Sequence, residues 1–318
     1  MDHGPPVVLI GLPRTGSTVL HRLLARHPAL HAPRLWELPA PVSPPGAGVG
    51  DLIADAERHV ADLVRTAPEL ARIHPTGARE PEECEHLMNT DFRNSVLALI
   101  SYRIPSYASW LAEQDLTAAY ALHRTQLAHI LARRPAPAGS RLVLKSPGHL
   151  WHLPALDRAH PGARYVVLER ELDAAIGSVC GLASAARRKR SAEVDPVEIG
   201  REMTAATHTG LARMRAFTGD PSVADRCLTV RFTDLVADPV ATTARVLVWL
   251  GLPADEALRR SWQEHLTRNP RPEHVHPRAV CGLPPSAPLA GTGGNGHGGS
   301  RHGHAGDRDR DREMKGTS

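Results

Sequence analysis

The most constraining feature of the chain lies at its start: a β-branched run Val7-Val8-Leu9-Ile10, then Gly11-Leu12-Pro13-Arg14-Thr15-Gly16, then an amphipathic stretch from Ser17 to His27. An apolar run of this length reads as a strand, the glycine-bounded segment as a tight loop, and the 3.6-residue periodicity after it as a helix. A strand feeding a helix through a short loop is the first half of a parallel crossover unit, so the rest of the chain is expected to supply further strands of the same direction. It does. Leu142 to Lys145 and Arg164 to Leu168 read as strands followed by helices at His149 to His160 and Asp173 to Ala186. Cys227 to Phe232 reads as another strand, and Pro239 to Leu250 as a helix closed by Gly251. Between the first two units, helical periodicity runs from Asp51 to Leu70 and from Ala118 to Arg133. Glu80 to Leu87 opens with acids and a proline, as a helix start should. The expectation is an α/β fold with a central, mostly parallel sheet flanked by helices.

Residues 1–284 are expected to form this one domain, since 318 residues with 42% hydrophobic content can bury a sizeable core without staples. Residues 285–318 turn to Gly, His and alternating Asp-Arg and read as a disordered tail, because nothing there can build a core. No apolar run approaches the ~20 residues of a membrane span, so no membrane insertion is expected. Cys84, Cys180, Cys227 and Cys281 are scattered without a CxxC pair, which fits a reducing cytoplasm better than a disulfide framework. A net charge of +4 with only 4% aromatic residues disfavours a nucleic-acid partner and fits a local anion site instead.

The loop itself points to that anion. Backbone N–H groups at a strand-to-helix turn converge with the helix dipole on a phosphate or sulfate. A nucleoside-triphosphatase loop of this kind would carry Lys directly before the hydroxyl residue to reach the β- and γ-phosphates. Here that position is Ser17, and the cation, Arg14, sits inside the loop. The arrangement is P-loop-like, with an anion held by backbone, hydroxyls and one guanidinium and without a metal.

At these residues the chain resembles sulfotransferases that use 3′-phosphoadenosine 5′-phosphosulfate (PAPS), in the broad bacterial group related to tyrosylprotein sulfotransferases. GLPRTGSTVLHRLLARHP is similar to the family's 5′-phosphosulfate loop, and further segments agree in order: LWELP at Leu35 to Pro39, EPEECEHLM at Glu80 to Met88, LVLKSPGHL at Leu142 to Leu150, RYVVLERELDAAIGSV at Arg164 to Val179 and FTDLVADP at Phe232 to Pro239. The resemblance spans roughly Val7 to Leu283. It implies that Arg14, Thr15, Gly16, Ser17 and Thr18 hold the 5′-phosphosulfate, and that Lys145 stabilises the leaving phosphate. It also implies that Arg170 and Ser178, an Arg at a strand end and a Ser eight residues on, grip the 3′-phosphate. Glu169 and Glu171 depart from the family pattern and set two carboxylates beside that dianion.

An acceptor hydroxyl must lose its proton as sulfur is attacked, which calls for a general base. Glu37 in LWELP resembles the catalytic Glu of tyrosylprotein and related bacterial sulfotransferases, and His149 in KSPGHL resembles the catalytic His of cytosolic ones. Glu37 is preferred and His149 kept as the alternative. His149 with His152 lacks a third metal ligand, so no metal is expected. Glu82 and Glu83 are read as a helix start, Arg187 to Arg190 as a solvated face or loop with a border of the acceptor entrance as the alternative, and Arg268, Arg271 and Arg278 as candidates to complete the 3′-phosphate site. His297, His302 and His304 in the tail are at most adventitious metal binders. The acceptor, a small molecule, glycan or peptide carrying a hydroxyl or amine, is read by the helical segments 38–134 and 183–214. Two rival readings stand beside sulfonate transfer: ATP-dependent phosphoryl transfer, and a nucleotide-binding scaffold with a decayed site. Oligomeric state is not legible.

Overall fold

The computed structural model describes residues 3–270 and 278–283. Five strands, β1 (Gly4–Gly11), β2 (Leu30–His31), β3 (Arg141–Lys145), β4 (Arg164–Glu169) and β5 (Cys227–Arg231), form one sheet in the order β2-β3-β1-β4-β5. Every neighbouring pair is parallel, with Leu9 in register with both Lys145 and Val166.

Why these runs are strands is visible in how they divide between two cores. Successive side chains of a strand point to opposite faces. Val8 and Ile10 join Leu144, Tyr165 and Val167 in one apolar cluster, while Val7 and Leu9 join Val143, Val166, Leu168 and Val230 in the other. With both faces buried the strands need no polar alternation, which is why they read as continuous apolar runs.

Thirteen α-helices among the described residues cover those faces and fill the crossovers. α1 (Ser17–Leu24) follows β1; α2 (Val49–Thr66), α3 (Pro68–Ile73), α4 (Glu85–Met88), α5 (Pro105–Ala112) and α6 (Thr117–Arg133) lie in the long crossover between β2 and β3. α7 (Leu153–Ala159) links β3 to β4. α8 (Leu172–Arg188), α9 (Pro196–Thr218) and α10 (Pro221–Ala224) link β4 to β5. α11 (Phe232–Ala237), α12 (Pro239–Leu250) and α13 (Glu256–Arg268) complete the described helices. Residues of α6 and α7 pack on the first face, and residues of α1, α12 and α13 on the second.

Several boundaries differ from the sequence expectation, each for a local reason. α1 stops at Leu24, three residues before His27, and its C-cap N–H returns to His21 and Leu23. The run after β3 divides at His152 into a 3-10 turn (Pro147–Trp151) and α7, whose first turn holds Pro154. Phe232 opens α11 rather than ending β5. The helix expected over Glu80 to Leu87 forms only from Glu85, so Glu82 and Glu83 lie in the extended approach to it. β2 and the limits of α9 and α13 are not delineated by the sequence pattern. The expected tail from 285 onward lies outside the described residues.

The fold places the loop after β1 at a particular point. β1 is central: the crossover after it leads past β3 to β2, and the later crossover from β3 passes over it to β4. In open parallel sheets, ligands bind beyond the carboxyl ends of strands where the winding reverses. Gly11 to Gly16, Lys145 and Arg170 all stand at that end.

Candidate active site

The loop's shape depends on two residues with positive φ. Arg14 adopts φ 70°, and Gly16, the N-cap of α1, adopts φ 85°. A Cβ on Gly16 would also lie 2.7 Å from Leu235 Cδ2, so both conformation and space require glycine there. Thr15 is fully buried and its hydroxyl donates to Leu12 O at 2.9 Å, closing the turn. The hydroxyl of Thr15 is therefore spent within the loop, whereas Ser17 and Thr18 begin α1, whose first backbone N–H groups have no partner inside the helix.

Arg14 reaches across the sheet's end. Its Nε donates to Ser178 Oγ at 3.1 Å and its Nη1 to Ile73 O at 2.9 Å. Arg170, one residue beyond β4, donates from Nη1 to Arg14 O at 2.6 Å and lays its guanidinium over the Phe232 ring at 4.2 Å. Arg14, Arg170 and Ser178, drawn from three separate segments, thus form one cationic cluster. Glu171 does not face that cluster with free oxygens: it caps α8, accepting from the N–H groups of Asp173 and Ala174 at 2.9 and 2.6 Å. Glu169 is exposed at the end of β4, in register with Arg231 of β5.

Lys145 ends β3 and is 2% exposed. Its ammonium donates to Thr18 Oγ1 at 3.2 Å and pairs with Glu83. Burial by itself pushes the Glu83 carboxyl up, but the ammonium beside it outweighs that and holds it below the usual range. Glu82, equally buried, accepts from Thr76 at 2.6 Å and lies 3.2 Å from His74 Nε2. Against the penalty of burial, His74 keeps Glu82 ionised well below the usual range, and Glu82 in turn raises His74. Glu85 is pushed well above the normal carboxyl range, first by burial and then by Glu83. These two acids were read from sequence as a helix start; the structure turns both inward instead. No local spacing signals this, because the inward turn rests on partners outside that segment, Lys145 and His74.

The segment that carries them is strapped in place by its backbone. Leu35 N donates to Glu80 O, Glu82 N to Pro33 O, and Cys84 N to Lys145 O at 2.8 Å. Glu37 lies on the other side of this strap and is fully buried. Arg134 grips both its oxygens, Nε to Oε1 at 2.8 Å and Nη2 to Oε2 at 2.7 Å, and Arg34 N donates to Oε2 at 2.7 Å. Glu37 is thus engaged by a guanidinium and a backbone amide, and Glu83 is the carboxylate that the fold brings to Lys145.

His149 is 1% exposed, packs against Tyr120 and His123, and lines the small cavity that reaches Ser146. Burial lowers its pKa to about 3, with neighbouring His160 adding to the effect. His152 instead faces Ser95, its Nε2 2.9 Å from the hydroxyl. Of the arginines considered for the 3′-phosphate, Arg268 pairs with Glu264 on α13, Arg271 lies outside the described residues, and only the backbone of Arg278 is described. Arg187 is buried and bonds Leu99 O and Glu202, so the run from Arg187 to Arg190 is not uniformly a solvated face.

A cavity of about 380 Å³ opens near this end of the sheet. Ala98, Leu99, Ile104, Leu111, Trp151 and Ala205 give it apolar walls, and Arg103, Arg187 and Arg213 stand among its polar lining residues. Its lining comes from both of the segments expected to read the acceptor. Ser95 and His152 also line a smaller cavity beside it that extends to Ser146, next to Lys145.

A parallel α/β sheet with a cation-bearing anion loop after its central strand, a buried lysine at the neighbouring strand end and no lysine in the loop defines a group-transfer class built for an anionic donor. The model of the sulfotransferase family matches residues 5–256, and the chain belongs to that family. Among solved structures it is similar to sulfotransferase STF1 from Mycobacterium tuberculosis H37Rv, at 30% identity and TM-score 0.73, covering 89% of this chain and 74% of that one. Sulfotransferase STF9 from Mycobacterium avium shares the fold at TM-score 0.73 and 23% identity, covering 88% of this chain and 73% of that one. A comparison with curated protein sequences found no match. Among the described residues no helix is long and apolar enough to cross a membrane.

Proposed function

We propose that the protein transfers a sulfonate from PAPS to the hydroxyl of an acceptor with an apolar body. The observation that carries this reading is the convergence of Arg170 and Ser178 on Arg14, which gathers two guanidiniums and a hydroxyl beside the loop after β1. The residues fit such a donor chemically. Two guanidiniums, one ammonium, the hydroxyls of Ser17 and Thr18 and the first N–H groups of α1 offer donors to anionic oxygens, without the loop lysine that a magnesium-nucleotide site would use.

When bound, PAPS supplies a sulfonate on a phosphate leaving group. Arg14 and Lys145 act where negative charge grows as that bond breaks, and because they are already fixed by Ser178, Ile73, Thr18 and Glu83 little reorganisation is needed. Arg170 and Ser178 select the 3′-phosphate. Glu83 takes the acceptor's proton: it is the carboxylate paired with Lys145, whereas Glu37 is held by Arg134. As the donor's anionic oxygens draw on Lys145, its grip on Glu83 weakens and the carboxylate becomes a better base. The acceptor's apolar body occupies the cavity of about 380 Å³, whose polar positions include Arg213 and the Arg187–Glu202 pair. Four cysteines without a disulfide accord with work in a reducing cytoplasm.

Calorimetric titration with 3′-phosphoadenosine 5′-phosphate, 5′-AMP and ATP, without magnesium, tests the donor reading. Tight binding that needs the 3′-phosphate is the expected result. Equal or better binding of ATP overturns it.

A further inference from the structure

The same segment that delivers Glu83 to Lys145 carries a second constellation on its far side. Cys84, His123 and His149 come from three distant parts of the chain: the approach to α4, the middle of α6, and the turn after β3. All three are at least 99% buried, and one ligating atom of each lies within 4.8 Å of the other two. Ligand atoms on a tetrahedral zinc ion stand about 3.5 Å apart, so a contraction of roughly one ångström joins these three.

The hydrogen bonding of the two rings is arranged as metal-bound imidazoles require. Nδ1 of His149 lies 2.9 Å from the Tyr120 hydroxyl, and Nδ1 of His123 lies 3.3 Å from His160 Nε2. Those contacts take one nitrogen of each ring. The other nitrogen, Nε2 in both, is buried and has no hydrogen-bond partner. Buried polar atoms are ordinarily satisfied, and two orphaned imidazole nitrogens beside one buried thiol therefore call for an explanation. A metal ion supplies it: ligating histidines take the metal on one nitrogen and give the other to an oxygen or ring acceptor, which fixes tautomer and ring orientation.

We propose that Cys84, His123 and His149 bind a zinc ion. One thiolate and two neutral imidazoles match the borderline-soft character of zinc, and carboxylate-loving magnesium or calcium does not suit them. Binding converts the Cys84 thiol to a thiolate, with its proton released to the buffer. Cys84 N also donates to Lys145 O at 2.8 Å, so the ion braces the strap and α6 against the strand end that carries the lysine. The other cluster of ligand-type residues, His74 with Glu82 and Glu83, differs in that its carboxylates are already held by Thr76, His74 and Lys145.

The full chain, purified with a reductant and stripped of metal, is titrated with cobalt(II) as a spectroscopic substitute for zinc. The expected result is a thiolate-to-cobalt charge-transfer band that saturates at one equivalent and is bleached by zinc. It vanishes in Cys84→Ala, and zinc binds His123→Gln ~10-fold or more weakly than the wild type. Replacing His297, His302 and His304 together with alanine leaves the band in place, since those tail residues carry no thiol. A wild-type protein that shows no such band overturns the proposal, as does a band that survives in Cys84→Ala. If Cys84→Ala fails to fold, the wild-type titration and its response to His123→Gln still decide. Neither readout depends on donor binding or turnover.

Discussion

Arg14 Nε donates to Ser178 Oγ over 3.1 Å, although the two residues are 164 positions apart. The serine assigned to the donor's 3′ end therefore also orients the arginine assigned to its 5′ end. Arg170→Ala is expected to weaken binding of 3′-phosphoadenosine 5′-phosphate by ~10- to 100-fold, the range for losing a charge-assisted hydrogen bond, and to change 5′-AMP binding little. Ser178→Ala should weaken both nucleotides, because it also releases Arg14. Calorimetry of the two ligands on the two variants separates these outcomes.

Lys145 and Glu83 are each other's countercharge in the interior, with side chains only 3% and 10% exposed. Removing one partner of a buried pair strands the other, at a cost of about 3 kcal/mol or more. Lys145→Ala should therefore lose both turnover and stability. Lys145→Ala combined with Glu83→Gln should recover most of the stability and none of the turnover. Urea unfolding beside a sulfonate-transfer assay reads both; recovered activity in the double variant would contradict the assignment.

The two candidate carboxylates make opposite predictions. Glu83→Gln is expected to lower kcat by ~10²- to 10⁴-fold, as loss of a general base does, with donor affinity nearly intact. Glu37→Gln is expected to act on folding, through loss of the Arg134 pair, by about 2 kcal/mol, and to leave kcat within a few-fold at temperatures where the variant is folded. Reversal of this pattern would return the base to Glu37. His149→Gln, which removes a ring buried against Tyr120 and His123, should not reproduce the kcat loss.

Acid should unfold this protein early. Burial, with Lys145 adding to it, lowers His21 to about 3, and burial together with Arg134 lowers His31 to about 4. In the unfolded chain both titrate near the ordinary value of about 6.5. The unfolded state thus binds more protons between those values, and the stability these neutral rings supply at pH 8 erodes as pH falls below about 6.5, by up to about 1.4 kcal/mol per pH unit for each ring. Below their folded values the loss is complete. Urea midpoints at pH 8 and pH 5 should differ less in His21→Gln and in His31→Gln than in the wild type.

The strands and the tight loop after β1 are legible because their signals are local. Four consecutive apolar residues, two glycines and one amphipathic turn suffice, and Val7 to Ile10 behave as that pattern requires. The assembly of the site was not local. No spacing in EPEECEHL reveals that Glu82 and Glu83 precede the helix and turn inward, since that depends on backbone bonds to Pro33 and Lys145. Glu37 illustrates the converse. Its motif marks it as a candidate base, but Arg134, which holds it, lies 97 positions away at the end of α6. His149 and His152 stand three residues apart, yet the 3-10 turn after β3 sends one ring toward α6 and the other toward Ser95.

The sheet order has an implication for how such a chain can diversify. The walls of the 380 Å³ cavity come from the β2-to-β3 excursion, the turn after β3 and the helices after β4, while the anion loop is set by β1 and α1. Substitutions at Leu99, Ile104, Leu111 or Ala205 reshape the cavity and touch no residue of the loop. The loop after β1 and most of the cavity wall are therefore encoded in different stretches of the polypeptide, and α8, which carries both Ser178 and the cavity-lining Arg187, is the element through which a change in one would reach the other.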